Sequence, residues 1–171
     1  MGLGSRIRKE VEFYTDGSLG KGEDKGEMGV GWVGIDKIEN SIVSLGNLKV
    51  VNWPTSTKAE LVGVWLVLLL VQCNTKVRVL TDSEQAIEYI TKACNIEQYS
   101  KWIRIDNRVI LEKIASLVKQ KGLKLELKKV QSYANNKWNN EADRLAKEGR
   151  RSRIILKLDI VKSKNFNYDI A

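Results

Sequence analysis

Three apolar segments near the beginning of the chain predict β-strands. Residues 11–15 form a short β-type run, residues 28–35 alternate small with apolar side chains, and residues 42–51 form a third run. The charged, glycine-rich stretch 19–27 predicts a turn between the first two. Because the three strands follow one another closely, we expect an antiparallel meander.

The hydrophobic period changes from that of a strand to that of a helix at residues 57–72. Five large apolar side chains recur at helical spacing, namely Leu61, Val64, Trp65, Leu68 and Leu69. Nearly every face of this segment is apolar, so we expect the helix to be buried.

The rest of the chain alternates strands and helices. The predicted elements are a strand at 76–80, a helix at 83–93, a long helix at about 102–120 ended by Gly122, a strand at 123–130, and a helix at 137–149 with Gly149 as its C-cap. Strand–helix–strand passages favour right-handed parallel crossovers. The pattern therefore predicts an α/β fold with a mixed five-stranded sheet and helices on both faces, and residues 154–161 could add a strand.

Length and charge indicate one soluble domain with a basic half. The chain has 171 residues, 43% of them hydrophobic and 29% charged, with a net charge of +8. Residues 101–171 carry 18 Lys+Arg against 8 Asp+Glu, whereas residues 1–100 carry 11 against 13. This asymmetry favours a polyanionic partner, nucleic acid first. The alternative is that the excess lysines only keep the protein soluble.

The residue inventory excludes several kinds of chemistry. There is no histidine, which excludes imidazole zinc sites and histidine-based triads. The two cysteines, Cys73 and Cys94, form no disulfide framework, so we expect an intracellular protein, cytoplasmic or nuclear. The apolar run 65–71 is far too short to span a bilayer, and we expect no membrane partner.

Four acidic residues occupy positions that suit a metal site. Asp16 and Asp82 end the first and fourth predicted strands, Glu60 lies in the first turn of the apolar helix, and Asp143 lies in the last helix. Neighbouring parallel strands would bring Asp16 and Asp82 to one edge of the sheet, where ligands bind in open α/β folds. Carboxylates without His or Cys suit Mg²⁺ or Mn²⁺, and two such ions can clamp the attacking and leaving oxygens of a phosphodiester.

Each acid also has a structural interpretation. Thr57 and Glu60 fit a helix capping box, and Asp82 could be the N-cap of the next helix. Asp16 could form an Asx turn beside Gly17, and Asp143 could be a solvated helix carboxylate. Taken one at a time, Glu60, Asp82 and Asp143 are better explained by these structural roles. Taken together, four acids on the ends of the predicted elements favour a functional metal site.

Over residues 10–149 the chain resembles the ribonuclease H family. The segments YTDGS, TKAEL, TDSEQAI and NNEADRLAKEG look like that family's four motif blocks, in the right order. The resemblance implies strand order 3-2-1-4-5 with strands 1–3 antiparallel. It also implies Asp16, Glu60, Asp82 and Asp143 as catalytic carboxylates that bind two Mg²⁺ ions, Mn²⁺ being possible in their place.

The activity implied by the resemblance is endonucleolytic cleavage of the RNA strand of an RNA–DNA hybrid, leaving a 5′-phosphate. Ser18 and Asn139 match family positions, and we expect both to bind the nucleic acid, with Ser18 contacting the nucleic-acid backbone. Independently, Thr55, Ser56 and Thr57 could donate to 2′-hydroxyls or phosphates, or could simply cap the helix. We expect a monomer with a nine-residue N-terminal extension (1–9), a catalytic domain (10–149) and a basic C-terminal extension (150–171).

Two features depart from the family pattern. Tyr133 stands where the family usually has a loop histidine, and a phenol with a pKa near ~10 is a poor base at neutral pH. The connector 94–105 has only Lys101 and Arg104 as cations, where many cellular members carry a basic helical handle, so it looks more like retroelement-type members. The alternative function is therefore a weak or inactive module that binds RNA–DNA hybrid or double-stranded RNA.

Overall fold

The computed structural model describes residues 10–52, 54–95, 107–131 and 135–157. The strands in these ranges are β1 (Glu10–Leu19), β2 (Met28–Asp36), β3 (Ser41–Val51), β4 (Lys76–Thr81), β5 (Lys124–Lys129) and β6 (Ile155–Lys157). The α-helices are α1 (Ser56–Leu70), α2 (Glu84–Ala93), α3 (Arg108–Gln120) and α4 (Lys137–Gly149), and a 3₁₀ turn covers Gly22–Asp24.

The strands form one sheet with the order β5-β4-β1-β2-β3-β6. β1, β2 and β3 are antiparallel, whereas β4 is parallel to both β1 and β5. The predicted order 3-2-1-4-5 is thus confirmed, and a sixth strand adds to the predicted five within residues 154–161, where the sequence allowed an extra strand. β6 lies within the proposed C-terminal extension and pairs in parallel with Lys49–Val51 of β3, because the chain leaves α4 beside that edge.

Helices cover both faces of the sheet, as predicted. α1 packs on β1 and β2 and contacts α2 and α3, whereas α4 lies across β1, β2 and β3 on the opposite face. Alternation along β1 separates the two cores. Phe13 joins the large apolar cluster with α1, and Tyr14 joins the smaller cluster with Leu145 of α4.

Glycines let α4 lie directly on the sheet. A Cβ on Gly29 would lie 2.1 Å from the Ala146 carbonyl oxygen, and one on Gly149 would lie 2.8 Å from the Leu48 carbonyl oxygen. The prediction that Gly149 is the C-cap is wrong: it is the last residue of α4, and Arg150 follows it as the cap. Gly149 is required for close packing, and not for a left-handed turn.

Two helix ends are fixed by specific contacts. The Lys121 ammonium donates to the carbonyl oxygens of Leu68, Leu69 and Val71 at 3.0, 2.8 and 2.7 Å, which satisfies the C-terminal end of α1. Gly122 ends α3 as predicted, with a φ of +58° that only glycine adopts readily.

Several predictions fall partly outside the described residues. The predicted helix 102–120 is described only from residue 107, and most of the connector 94–105 is not described. The proposed extensions, 1–9 and 150–171, are described only as far as residues 150–157, so this division of the chain stays a prediction. No helix in the described ranges is both long and apolar enough to cross a membrane.

Candidate active site

Three of the four predicted carboxylates meet at one edge of the sheet. Asp16, Glu60 and Asp82 each place a carboxylate oxygen so that all three oxygens lie within 4.8 Å of one another. Asp16 and Glu60 are almost fully buried, with 9% and 7% of their surface exposed, and Asp82 is half-buried. The cluster opens to solvent on the Asp82 side.

Strand register brings Asp16 and Asp82 together. β1 and β4 are parallel with Tyr14 opposite Leu80, so two residues further along, Asp16 and Asp82 reach the same level. Asp82 follows directly after β4, as predicted. Asp16, however, does not end its strand: β1 continues to Leu19, and Asp16 pairs with Gly31 of β2.

Glu60 reaches the same edge because α1 begins against β1 at a glycine. A Cβ on Gly17 would lie 2.6 Å from the Glu60 backbone nitrogen, so only glycine allows this approach. The Gly17 backbone N–H donates to the Glu60 side chain, and the Thr81 hydroxyl donates to Glu60 Oε2 at 3.3 Å. Backbone and hydroxyl donors thus orient this carboxylate toward Asp16 and Asp82.

The clustering is electrostatically unfavourable without a cation. Burial, together with the charges of Asp82 and Asp143 and a hydrogen bond with Asp143, raises the pKa of Asp16 to about 7. Burial and the charges of Asp16 and Asp82 raise the pKa of Glu60 well above its usual value. Groups that resist ionisation when crowded in this way are typical of functional sites.

Asp143 joins the cluster from α4. It lies close enough to Asp16 to help raise the pKa of that carboxyl group, and its Oδ2 accepts from the Lys147 ammonium at 2.7 Å, one turn further along the helix. Its carboxylate is about half exposed. The structure therefore brings all four predicted acids together, with Asp143 at the more open side.

The structural interpretations of three of these acids are not supported. Thr55, and not Thr57, caps α1, because its hydroxyl accepts from the Lys58 backbone N–H at 3.1 Å. Ser83, and not Asp82, caps α2 by accepting from the Ala86 backbone N–H at 3.2 Å. Because Asp16 lies within β1, it is not a turn residue either.

The predicted substrate contacts lie around this edge. Thr55 and Ser56 are exposed at the start of α1, whereas the Thr57 hydroxyl donates to Gln85 Oε1 at 2.5 Å. Ser18 lies two residues after Asp16 in β1 and is half-buried. Asn139 is buried one turn before Asp143, and Tyr133 lies outside the described residues.

Sequence reasoning missed two side chains that contact the acids, Thr81 and Lys147. Thr81 is fully buried at the end of β4, and its hydroxyl also accepts from the Ser83 backbone N–H at 3.1 Å. Alternation along β4 could have indicated that a threonine just before Asp82 is buried. The i, i+4 spacing of Asp143 and Lys147 was visible in the sequence as well.

The donor set of this site fits a hard divalent cation. All four side chains supply carboxylate oxygens, which Mg²⁺ and Mn²⁺ prefer. One oxygen from each of Asp16, Glu60 and Asp82 lies within 4.8 Å of the other two. A cation would also offset the repulsion from Asp82 and Asp143, which adds to burial in raising the pKa of Asp16. These residues could therefore hold a divalent metal ion.

A protein-family model decides the classification. The RNase H model matches residues 8–151, which is most of the chain and contains all four acids. The chain belongs to the RNase H family. Family membership makes it a nuclease-type domain of the kind that uses divalent metal ions. No curated protein sequence matches this RNase H chain significantly.

Solved structures of RNase H domains share the fold. Prototype foamy virus protease–reverse transcriptase is 22% identical over 85% of this chain, with a TM-score of 0.68, but the match covers only 21% of the viral chain. The isolated prototype foamy virus RNase H domain is 23% identical, with 84% and 96% of the two chains covered and a TM-score of 0.66. An N-terminal RNase H domain from Mycobacterium tuberculosis is 20% identical, with 84% and 94% covered and a TM-score of 0.62. This chain thus spans about a fifth of the foamy virus enzyme.

Proposed function

We propose that this RNase H domain is an endonuclease that cuts the RNA strand of RNA–DNA hybrids with two divalent metal ions. The observation that carries the proposal is the convergence of Asp16, Glu60 and Asp82, with Asp143 close enough to help raise the pKa of Asp16. A foamy viral protease–reverse transcriptase of similar fold has been solved in complex with RNA/DNA hybrid, which supports the same substrate class here.

The four carboxylates would hold the metal ions and set their positions. When bound, divalent cations activate water and neutralise the charge that develops on the phosphate. Glu60 and Asp16 are nearly buried, so they are held rigidly by β1, α1 and the Thr81 hydroxyl. Asp82 and Asp143 are more exposed and would lie nearer to the substrate.

The hydroxyl groups at the start of α1 would bind the nucleic acid. Thr55 and Ser56 are exposed at a helix N-terminus, whose backbone N–H groups favour a phosphate. Ser18 lies on the same strand as Asp16 and would contact the backbone of the same duplex. The Thr57 hydroxyl hydrogen already points to Gln85, so Thr57 would act as an acceptor or through Gln85.

An Asp82→Asn variant tests this proposal. The substitution keeps the size and the hydrogen-bonding ability of the side chain but removes the negative charge, so Mg²⁺-dependent cleavage of a labelled hybrid should disappear while the fold remains. Glu88→Gln is a matched control, because Glu88 is an exposed carboxylate of α2 that pairs with Lys92. If the Asp82→Asn variant cuts as fast as the parent, the assignment of the site is wrong.

The competing function is a module that binds nucleic acid without cutting it. Tyr133 in place of the usual histidine motivates it, since this removes an expected proton carrier. Parent protein that shifts a hybrid in a gel but leaves it intact in both Mg²⁺ and Mn²⁺ would favour the binding module. Cleavage of the RNA strand alone would support the nuclease.

A further inference from the structure

Three cations continue from the candidate active site along α4 and onto β6. We call Arg150, Arg153 and Lys157 the C-terminal cation cluster. Arg150 follows Asp143 by about two helical turns, so the two residues share one face of α4 and are separated by about 10 Å along its axis. A Cβ on Gly29 would lie 2.4 Å from the Arg150 backbone nitrogen, and Gly29 pairs with Ser18 of β1. Arg150 therefore lies over the sheet just beyond the acids.

β6 brings the rest of the cluster to the edge of the sheet that carries the acids. Its parallel pairing with β3 places Lys157 opposite Val51. β3 runs in the same direction as β1, because both are antiparallel to β2. The carboxyl ends of β1, β3 and β6 thus lie at one edge, and Arg153 lies in the connection between α4 and β6.

The cluster is not neutralised, unlike the cations around it. In the part of the chain that the structure describes, no carboxylate forms a salt bridge with any of its three members. On the neighbouring face of α4, by contrast, Arg144 pairs with both Glu141 and Glu148, and Arg151 binds Asp24 at 3.3 Å. The uncompensated charges make this surface favourable for a polyanion.

The cluster is also accessible. Arg153 and Lys157 are exposed, and Arg150 is half-buried, with its Nε donating to the Lys147 carbonyl oxygen at 3.4 Å. That bond uses one of five guanidinium N–H donors, so donors remain for a phosphate. A cation at the end of a helix also complements the helix dipole, which explains Arg150. It does not explain the other two residues, because they lie beyond the last turn, where this effect has decayed.

We propose that the C-terminal cation cluster binds phosphate groups of the nucleic-acid duplex on one side of the cleavage site. This inference rests on the proposed nuclease function, since it extends the surface that holds the substrate. The ~10 Å from Asp143 to Arg150 equals the axial rise of about three base pairs, and Lys157 extends the contact along the edge. Phosphate contacts carry no sequence information, so the cluster adds affinity without base preference.

Neutralising the cluster tests the proposal. In the Arg150→Gln/Arg153→Gln/Lys157→Gln variant, the dissociation constant of a labelled RNA–DNA hybrid, measured by fluorescence anisotropy in EDTA, should rise about tenfold or more. The slope of log affinity against log salt concentration should fall in magnitude by about two to three. In Mg²⁺, KM should rise while kcat stays within about twofold, because the four acids are unchanged.

A second triple variant removes the same amount of charge elsewhere. Arg144 is neutralised by two glutamates, and Lys119 and Lys124 are exposed near the opposite edge of the sheet, where β5 begins. The Lys119→Gln/Lys124→Gln/Arg144→Gln variant should bind hybrid within about twofold of the parent. The Arg153→Gln/Lys157→Gln variant covers the case that loss of Arg150 loosens the end of α4. Its salt slope should still fall by about one to two.

Equal affinities and salt slopes in the cluster variants and the control variant would overturn the proposal and leave the cluster for an acidic protein partner. A parent that does not bind hybrid would overturn it as well. If the parent binds hybrid but does not cut it in Mg²⁺ or Mn²⁺, the proposed nuclease function has failed. The binding measurements in EDTA still decide whether the cluster holds nucleic acid, so the two failures are distinguishable.

Discussion

Gly31 faces Asp16 across the β1–β2 ladder, and the backbone of α4 passes directly over it. A Cβ on Gly31 would lie 2.4 Å from the Ala146 backbone nitrogen and 2.5 Å from the Ala142 carbonyl oxygen. The missing side chain therefore lets α4 bring Asp143 close to Asp16. The absence of a side chain at Gly31 is therefore needed for α4 to lie this close to Asp16.

Gly31→Ala should strongly lower the rate of hybrid cleavage, although it changes none of the four acids. The added methyl group must push α4 away from the sheet, which we expect to cost about 1–3 kcal/mol of stability, as overpacking does. The displacement separates Asp143 from Asp16, so cleavage at 5 mM Mg²⁺ should fall by about tenfold or more. The measurements are hybrid cleavage and urea unfolding of the same preparation.

Gly63→Ala is the control for this substitution. Gly63 lies in α1, where a Cβ would come no closer than 3.2 Å to a Val30 methyl group, and alanine favours the helix. We expect parental activity and nearly parental stability. Parental activity in the Gly31→Ala variant would show that the approach of α4 does not matter for catalysis.

Without metal, the protein should become more stable as the pH falls from 7.5 to 5.5. The folded-state pKa of Asp16 is about 7, against 3.8 for an ordinary aspartate, so in this window the folded state binds more protons than the unfolded state. Stability then decreases as pH rises, and it levels off above the folded pKa. The raised pKa of Glu60 acts in the same direction. Thermal unfolding in EDTA at several pH values measures the effect.

At lower pH, the buried Glu12 makes the stability of the fold depend on pH in the opposite direction. Although burial opposes ionisation, hydrogen bonds from Tyr14, Arg78 and Lys37 lower its pKa below 4.5 overall, so it stabilises the fold above that value and loses the effect as pH falls further. Stability without metal should thus pass through a maximum on the acidic side of neutrality. Saturating Mg²⁺ should flatten the slope between pH 5.5 and 7.5, and an equal slope with and without Mg²⁺ would contradict a metal at this cluster.

The chain order of motifs made the sheet and the acids predictable, because Asp82 directly follows β4 and Asp16 lies in the last part of β1. Tertiary packing was harder to predict from the sequence. The pattern of apolar and polar residues at 150–157 does not distinguish a three-residue edge strand from a tail. β6 forms only because it can pair with β3, which is distant in sequence. The position of Gly149 at the end of a predicted helix is typical of a C-cap, but its close packing on Val30 and Leu48 depends on two distant strands, β2 and β3.

Side chains that orient the acids were also hidden from the sequence. Tyr14 fits an ordinary apolar position of β1, and its packing against Leu145 depends on α4, which is distant in sequence. Thr81 is similar, since only the arrival of Glu60 from α1 gives its hydroxyl a carboxylate acceptor. Local patterns thus located the four acids, whereas the groups that hold these acids in place depend on tertiary contacts.

Lys147→Gln should lower the Mg²⁺ concentration needed for half-maximal activity. The Lys147 ammonium occupies Asp143 Oδ2, so a metal that uses this oxygen must displace it. Both side chains are about half exposed, and such a pair contributes only ~0.2–1 kcal/mol, so the change should not exceed about fivefold. Arg144→Gln is the control, because Arg144 pairs with Glu141 and Glu148 and not with Asp143. An unchanged or raised Mg²⁺ requirement in the Lys147→Gln variant would contradict this competition.

Lys121→Met should destabilise the fold while leaving the chemistry of each folded molecule unchanged. The Lys121 ammonium donates to three carbonyl oxygens at the C-terminal end of α1, and methionine fills similar space without a donor. Loss of hydrogen bonds from a charged group should cost about 1.5–3 kcal/mol of unfolding free energy. Glu60 lies at the other end of α1, where Thr55 and Gly17 fix the helix, so kcat at a temperature well below melting should equal that of the parent. A reduced kcat under those conditions would show that the two ends of α1 are mechanically coupled, and that Glu60 is held less firmly than its contacts indicate.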